Sequence, residues 1–161
     1  MADTLIVGIG EFAATASPNR IASYGLGSCV GIVLYAPRAR YGALAHALLP
    51  RHTENSYALR SAKYADCAVE LMYRHVIESG CDTQGLVAKL AGGSAMFDDL
   101  YRQGQQGIGQ RNLEAARETL DNLGIAIAGE DVGGNIGRSM IFDLESGLVT
   151  IRTLTAQDTI L

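Results

Sequence analysis

Short apolar runs punctuated by glycine and proline dominate the chain, and only two segments carry a helical period. Thr4 to Val7 and Ile21 to Tyr24 are strand candidates, with the turn signal Ser17-Pro18-Asn19 between them. Cys29 to Tyr35 is continuously apolar and reads as a buried strand. Ala36-Pro37-Arg38 ends it, and Tyr41 to Leu49 returns as a second strand closed by Pro50. Ala62 to Glu78 spaces Ala65, Ala68, Val69, Met72 and Val76 three and four apart, which predicts a helix stopped by Gly80. Gln110 to Leu123 repeats that period with Leu113, Ala116, Leu120 and Leu123, and Gly124 follows. Leu86 to Leu90, Ile125 to Ala128, Ser139 to Phe142 and Leu148 to Ile151 are further strands, the last two turned by Glu145-Ser146-Gly147. Arg51 to Arg60 and Asp98 to Gly107 are polar and read as loops. Most strands are joined by hairpins, not helical crossovers. The pattern therefore predicts an α+β fold of layered sheets, largely antiparallel or mixed, with two main helices.

Composition narrows the setting. A chain of 161 residues forms one domain, spanning 1–161, with room for a sizeable core. Apolar residues at 48% and charged ones at 19% fit a globular protein and exclude a disordered one. The net charge of −4 argues against a nucleic-acid binder, which carries a basic face. No apolar run reaches the length of a membrane span, so no membrane insertion is expected. Met1-Ala2-Asp3-Thr4 lacks a basic leader, and three cysteines do not make an even disulfide framework. These features point to a reducing, cytoplasmic location.

Several motifs invite chemistry and lose it on inspection. Gly8-x-Gly10-x-x-Ala13 resembles a dinucleotide fingerprint, but Ser17-Pro18 leaves no room for the helix that must hold a pyrophosphate, so a strand continuing through the glycines is expected. Gly25-x-Gly27-Ser28 lacks the lysine of a phosphate loop. Cys67 and His75 stand about two helical turns apart, too far to share one ion with Cys81. No cofactor and no metal are expected. Lys89 and the pair Arg111-Asn112 read as structural on spacing.

Cys29 and His46 are different. Cys29 follows a small-residue loop, and His46 lies late on the next strand. An antiparallel hairpin brings them to the same end of the sheet. There an imidazole can take the thiol proton, and the resulting thiolate attacks carbonyl carbons. Such a pair requires the thiol pKa to be lowered. Ser23, on the preceding strand, has a hydroxyl able to orient His46, and backbone N–H groups around Gly27 and Ser28 can face an oxyanion. By residue type alone, Cys29 is most often a small buried apolar residue and His46 a satisfied core histidine.

Separated blocks along the chain add a resemblance. Gly25-Leu26-Gly27-Ser28-Cys29-Val30, Ala45-His46 with Leu49-Pro50, and Lys63-Tyr64-Ala65-Asp66 come first. Ala88 to Phe97, Ile108-Gly109-Gln110-Arg111-Asn112, Glu130 to Gly134 and Gly137-Arg138-Ser139 follow. In order and spacing the chain resembles the CheD family, chemoreceptor glutamine deamidases of bacterial chemotaxis. The resemblance implies an α/β sandwich and a protein-glutamine glutaminase, a hydrolase acting on methyl-accepting chemoreceptors. It implies a cysteine nucleophile at Cys29, its partner at His46, and Ser23 where the family has threonine. It also implies a CheC-like phosphatase as a possible partner. The alternative is a non-catalytic adaptor that binds such a phosphatase or receptors. Arg38, Arg40 and Arg51, flanking the hairpin, are the candidate basic rim for a Glu- and Gln-rich receptor helix.

Overall fold

The structure is a computed structural model that describes residues 1–53, 61–96 and 106–161. Two five-stranded sheets stack face to face, and two helices cover the outer face of one of them. The first sheet has the order β1-β3-β8-β9-β10, from Thr4–Ile6, Arg20–Leu26, Arg138–Asp143, Val149–Arg152 and Thr159–Ile160. The second has the order β2-β5-β4-β6-β7, from Phe12–Ala16, Tyr41–Ala47, Val30–Ala36, Val87–Gly92 and Ala126–Val132. Each sheet contains one parallel pairing, β1 with β3 and β6 with β7, among antiparallel ones. The helices are α1, Ala65–Glu78, and α2, Ile108–Asn122. This is the expected α+β sandwich of mixed, largely antiparallel sheets.

Strand β4 explains its own unbroken apolar run, since all seven residues are buried. Val30, Ile32 and Leu34 pack toward the helices, where they meet Ala68, Val69 and Met72. Cys29, Val33 and Tyr35 point the other way, into the layer between the sheets with Met140 and Phe142. A strand covered on both faces needs apolar residues at every position. Neighbouring β5 follows the same division. Ala43, Ala45 and Ala47 face the helices, and Leu44 and His46 face the other sheet.

Several element boundaries differ from the sequence reading, for local reasons. The strand ending at Ile6 does not continue through Gly8 and Gly10; the chain crosses there to the second sheet. The segment at 12–16 is strand β2, whose Phe-Ala-Ala-Thr-Ala run lacks the alternation that marks a strand. Helix α1 starts at Ala65 instead of Ala62 because Lys63 uses its carbonyl to accept from Leu48 and Leu49 N–H. The two-residue β10 has too short a run to show in the sequence. The loops expected at 51–60 and 98–107 lie mostly outside the described residues.

Candidate active site

His46 is held from both sides before its ring is considered. Its backbone pairs with Gly31 on β4, and its N–H donates to the Glu11 carbonyl while its own carbonyl accepts from Gly10 N–H. Gly31 opposite it leaves room for the buried Met140 side chain, whose Sδ a Cβ there would meet, with Leu26 Cδ1 at 3.0 Å. The imidazole therefore has one layer to occupy, the seam between the sheets.

Ser23 reaches that seam from β3 in the other sheet. Its Oγ lies 2.8 Å from His46 Nδ1 and 2.9 Å from the Val7 carbonyl oxygen. The carbonyl can only accept, so the serine proton points to Val7. Oγ must then accept from His46, which places the ring proton on Nδ1. Nε2 is left as the basic nitrogen. It is buried and, among the described residues, has no hydrogen-bond partner. A buried polar atom without a partner is uncommon and calls for an explanation, of which a catalytic role is one.

Directly after Ser23 the strand carries a bulge. Ser23 pairs with Met140 and Leu26 with Arg138, so β3 spends one residue more than β8, and Gly25 takes a φ of 72° to accommodate it. The bulge turns Leu26 back into the core and starts the Gly27-Ser28 loop that leads to Cys29. By strand parity Cys29, Gly31 and His46 share one face of the sheet, Cys29 standing diagonally from His46. Such diagonal pairs are separated by roughly 7–8 Å at the backbone, within reach of side chains. Cys29 is 7% exposed, His46 1% and Ser23 fully buried. The thiol makes no hydrogen bond to Nε2 in this resting arrangement, which in a site without substrate is common.

The loop is pinned through its carbonyls. Gly27 O accepts from Ser94 N–H at 2.9 Å, Ser28 O from Asn112 Nδ2 at 2.9 Å, and Cys29 O from Gly93 N–H at 2.8 Å. Among the described residues, the N–H of Ser28 donates to no backbone carbonyl. Because carbonyl and N–H of a trans peptide point in opposite directions, fixing the first aims the second. Close approach of α2 to the Gly93–Ser94 segment that pins this loop needs glycine. A Cβ on Gly109 would sit 2.6 Å from backbone atoms of Gly93 and Ser94. Arg138, 7% exposed, braces the same corner through Gly92 O, Ser94 Oγ and an ion pair with Asp131 at 2.9 Å. That last contact is an ion pair and not an aligned hydrogen bond, since the Nε–H points off the line.

Burial sets the protonation states. It pushes the Cys29 thiol above its ordinary value, partly offset by the residue's own backbone N–H on the sulfur, and pushes His46 below its ordinary value. The resting pair is thus thiol and neutral imidazole, not the lowered thiol that the sequence reading requires. Linkage gives a stability profile. As pH falls through 6.5, the unfolded chain takes up the histidine proton first, so stability drops on that side. As pH rises through 9.0, the unfolded chain releases the thiol proton first, so stability drops there too. Urea unfolding across pH is expected to show both limbs, and His46→Gln should flatten the acid one. An unchanged acid limb in that variant would assign it to other groups.

The arginine rim is not formed. Arg38 and Arg40 lie in the β4–β5 turn, at the end of the hairpin opposite Cys29. Over the length of β4 that is about 25 Å away. Arg38 pairs with Asp82 at 3.7 Å, and Arg51 pairs with Glu118 on α2. Among the described residues no group of three or more His, Cys, Asp or Glu is arranged to hold a metal. No described helix is long and apolar enough to cross a membrane.

Comparison with known proteins places the chain in a family. The family model described as CheD chemotactic sensory transduction matches residues 48–153. A relative from Geobacter metallireducens, named probable chemoreceptor glutamine deamidase CheD 2, is 46% identical over 155 residues, 96% of each chain. The chain belongs to the CheD family. A relative from Desulforamulus reducens, named probable chemoreceptor glutamine deamidase CheD, is 47% identical over 92% of this chain and 89% of its own. One from Methanosarcina acetivorans, probable chemoreceptor glutamine deamidase CheD 1, is 38% identical over 98% and 96%. The family model starts beyond His46, whereas the 155-residue alignment is long enough to include Ser23, Cys29 and His46. Asn112, Ser94 and Arg138 escaped a functional reading of the sequence because their partners are remote. Asn112 bonds residues 64 and 84 positions away.

Proposed function

We propose that this CheD is a single-domain, cytoplasmic protein-glutamine deamidase that converts glutamines of methyl-accepting chemoreceptors to glutamate. The observation that carries the reading is the buried Ser23–His46 bond, with the serine proton committed to Val7. It leaves Nε2 as a base on the face that Cys29 shares. The full-length relatives carry the name of this activity.

In the proposed reaction the Cys29 proton passes to His46 Nε2 as Sγ attacks the carboxamide carbon. Burial favours this concerted transfer over a standing thiolate–imidazolium pair. The carbonyl oxygen becomes an oxyanion facing the N–H groups of Ser28 and Cys29, directed by the pinned Gly27 and Ser28 carbonyls. His46 then donates its Nε2 proton to the departing nitrogen, which leaves as ammonia and a thioester remains. Water, deprotonated by His46, hydrolyses the thioester to glutamate and restores the thiol. The sum is carboxamide plus water giving carboxylic acid and ammonia, with no further reagent.

The test is intact-mass and peptide-mapping analysis of a receptor cytoplasmic fragment, which gains about one dalton per converted glutamine through thioester hydrolysis. No mass gain with any cognate receptor fragment would overturn the assignment. Ser23 gives a second, graded test. Ser23→Ala removes the acceptor of the Nδ1–H bond, worth about 1–3 kcal/mol when buried, so turnover is expected to fall about 10- to 100-fold. Ser23→Thr keeps the hydroxyl and adds a rotamer-restricting methyl, so it is expected to turn over close to the parent rate. Equal losses in both variants would mean that packing, not the hydroxyl, matters at this position.

A further inference from the structure

The ladder between β4 and β5 ends with Val30 opposite Ala47. One step further, Cys29 and Leu48 would form the next pair, but the strands have ended and Leu48 N–H donates to Lys63 O instead. Asn112, on α2, fills this fork. It is fully buried, and its Nδ2 donates to Ser28 O at 2.9 Å and to Leu48 O at 3.0 Å. Both hydrogens of one amide are used, one on each branch. The amide orientation is unambiguous, because the flipped side chain would set Oδ1 against two carbonyl oxygens.

We infer that Asn112 is a positioning residue for the nucleophile, acting as a side-chain rung at the open end of the β4–β5 ladder. The inference rests on the deamidase reading above and assigns a role that the reading does not contain. Two consequences follow from the geometry. The Leu48 bond fixes the end of the strand that carries His46 two residues earlier, so the rung sets the separation of thiol and base. The Ser28 bond fixes the Ser28–Cys29 peptide plane, and so aims the Cys29 N–H toward its own sulfur and the oxyanion position. A rung of this kind acts on the barrier and not on docking, since Asn112 is buried beneath the loop and presents no surface to a receptor. Misplacement of reacting groups by about 1 Å costs on the order of 10²-fold in rate.

Asn112→Ala removes both bonds, and Asn112→Ser leaves one short hydroxyl donor. Both are compared with Leu120→Val, a core change on α2 that touches neither branch. With turnover measured well below each melting temperature, the alanine variant is expected to lose about 10- to 100-fold in kcat with KM unchanged, and the serine variant less. Alkylation of Cys29 by iodoacetamide is expected to shift to higher pH in both, as the aimed N–H is lost. Leu120→Val is expected to lower the melting temperature while leaving kcat and the alkylation profile in place. Wild-type kcat and an unshifted profile in folded Asn112→Ala would overturn the inference, as would failure of both variants to fold. If Cys29→Ala keeps full turnover, the deamidase mechanism itself fails. If Cys29→Ala is inactive while Asn112→Ala is normal, only the rung fails.

Discussion

Cys29→Ala is expected to lose deamidation of receptor glutamine by at least about 10⁴-fold, the scale seen when a covalent nucleophile is removed and only binding and oxyanion contacts remain. The fold should survive, because alanine replaces a small, nearly buried side chain in an apolar seam and only the sulfur is deleted. Cys29→Ser is expected to be almost as inactive. A hydroxyl is far harder to deprotonate than a thiol, and a His46 whose own pKa is lowered by burial is a weak base for it. A receptor fragment incubated with either variant should show no mass gain beyond the enzyme-free control. Turnover by Cys29→Ala near the parent rate would remove the thioester from the mechanism, whereas no turnover by the wild type would leave this CheD as an adaptor.

His46→Gln is expected to cost a similar factor for a different reason. Glutamine can still occupy the seam and bond to Ser23, but it offers no nitrogen able to accept the thiol proton and return it to ammonia. Without that relay the thiol, already protonated at rest because burial raises its pKa, has no base to take its proton as the sulfur attacks. Alkylation by iodoacetamide separates this from simple damage. Cys29 should react more slowly in His46→Gln, while half-buried Cys81, remote from the site, provides the internal reference. Unchanged Cys29 reactivity together with unchanged turnover would show that His46 is a packed core histidine after all. A further contrast lies in ultraviolet absorbance at neutral pH. The wild type should show no thiolate signal beyond that of Cys29→Ser, because the resting pair is neutral.

The architecture bears on how substrate meets this site. The Gly27–Cys29 loop stands at one end of the sandwich, where the β3 bulge, the start of β4 and the end of β5 converge. The β4–β5 turn, with its arginines, is at the other end, about 25 Å from Cys29. Tyr24 and Met96 are exposed, and Met96 packs against Gly27, where an added Cβ would lie 3.2 Å from it. Steering by long-range charge has little to work with on a chain of net charge −4.

Much of this was legible in the residues. Period and punctuation located both helices and most strands, because the amphipathic stripe of α2 and the apolar run of β4 are local properties of the chain. The hairpin from Cys29 to Leu49 is also local, and with it the placement of Cys29 and His46 at one end of one sheet. The blocks resembling the CheD family pointed to the same two residues. What the chain alone left open was decided by contacts between distant segments. Whether Ser23 meets His46 depends on two sheets stacking, and only stacking shows that the serine proton goes to Val7 and the basic nitrogen is Nε2. The resting protonation states follow from burial, which no spacing reports. The arginines beside the hairpin are neighbours of Cys29 in sequence and lie a strand's length away in space. Asn112 is the reverse case, remote in sequence and bonded to both branches of the fork beside Cys29.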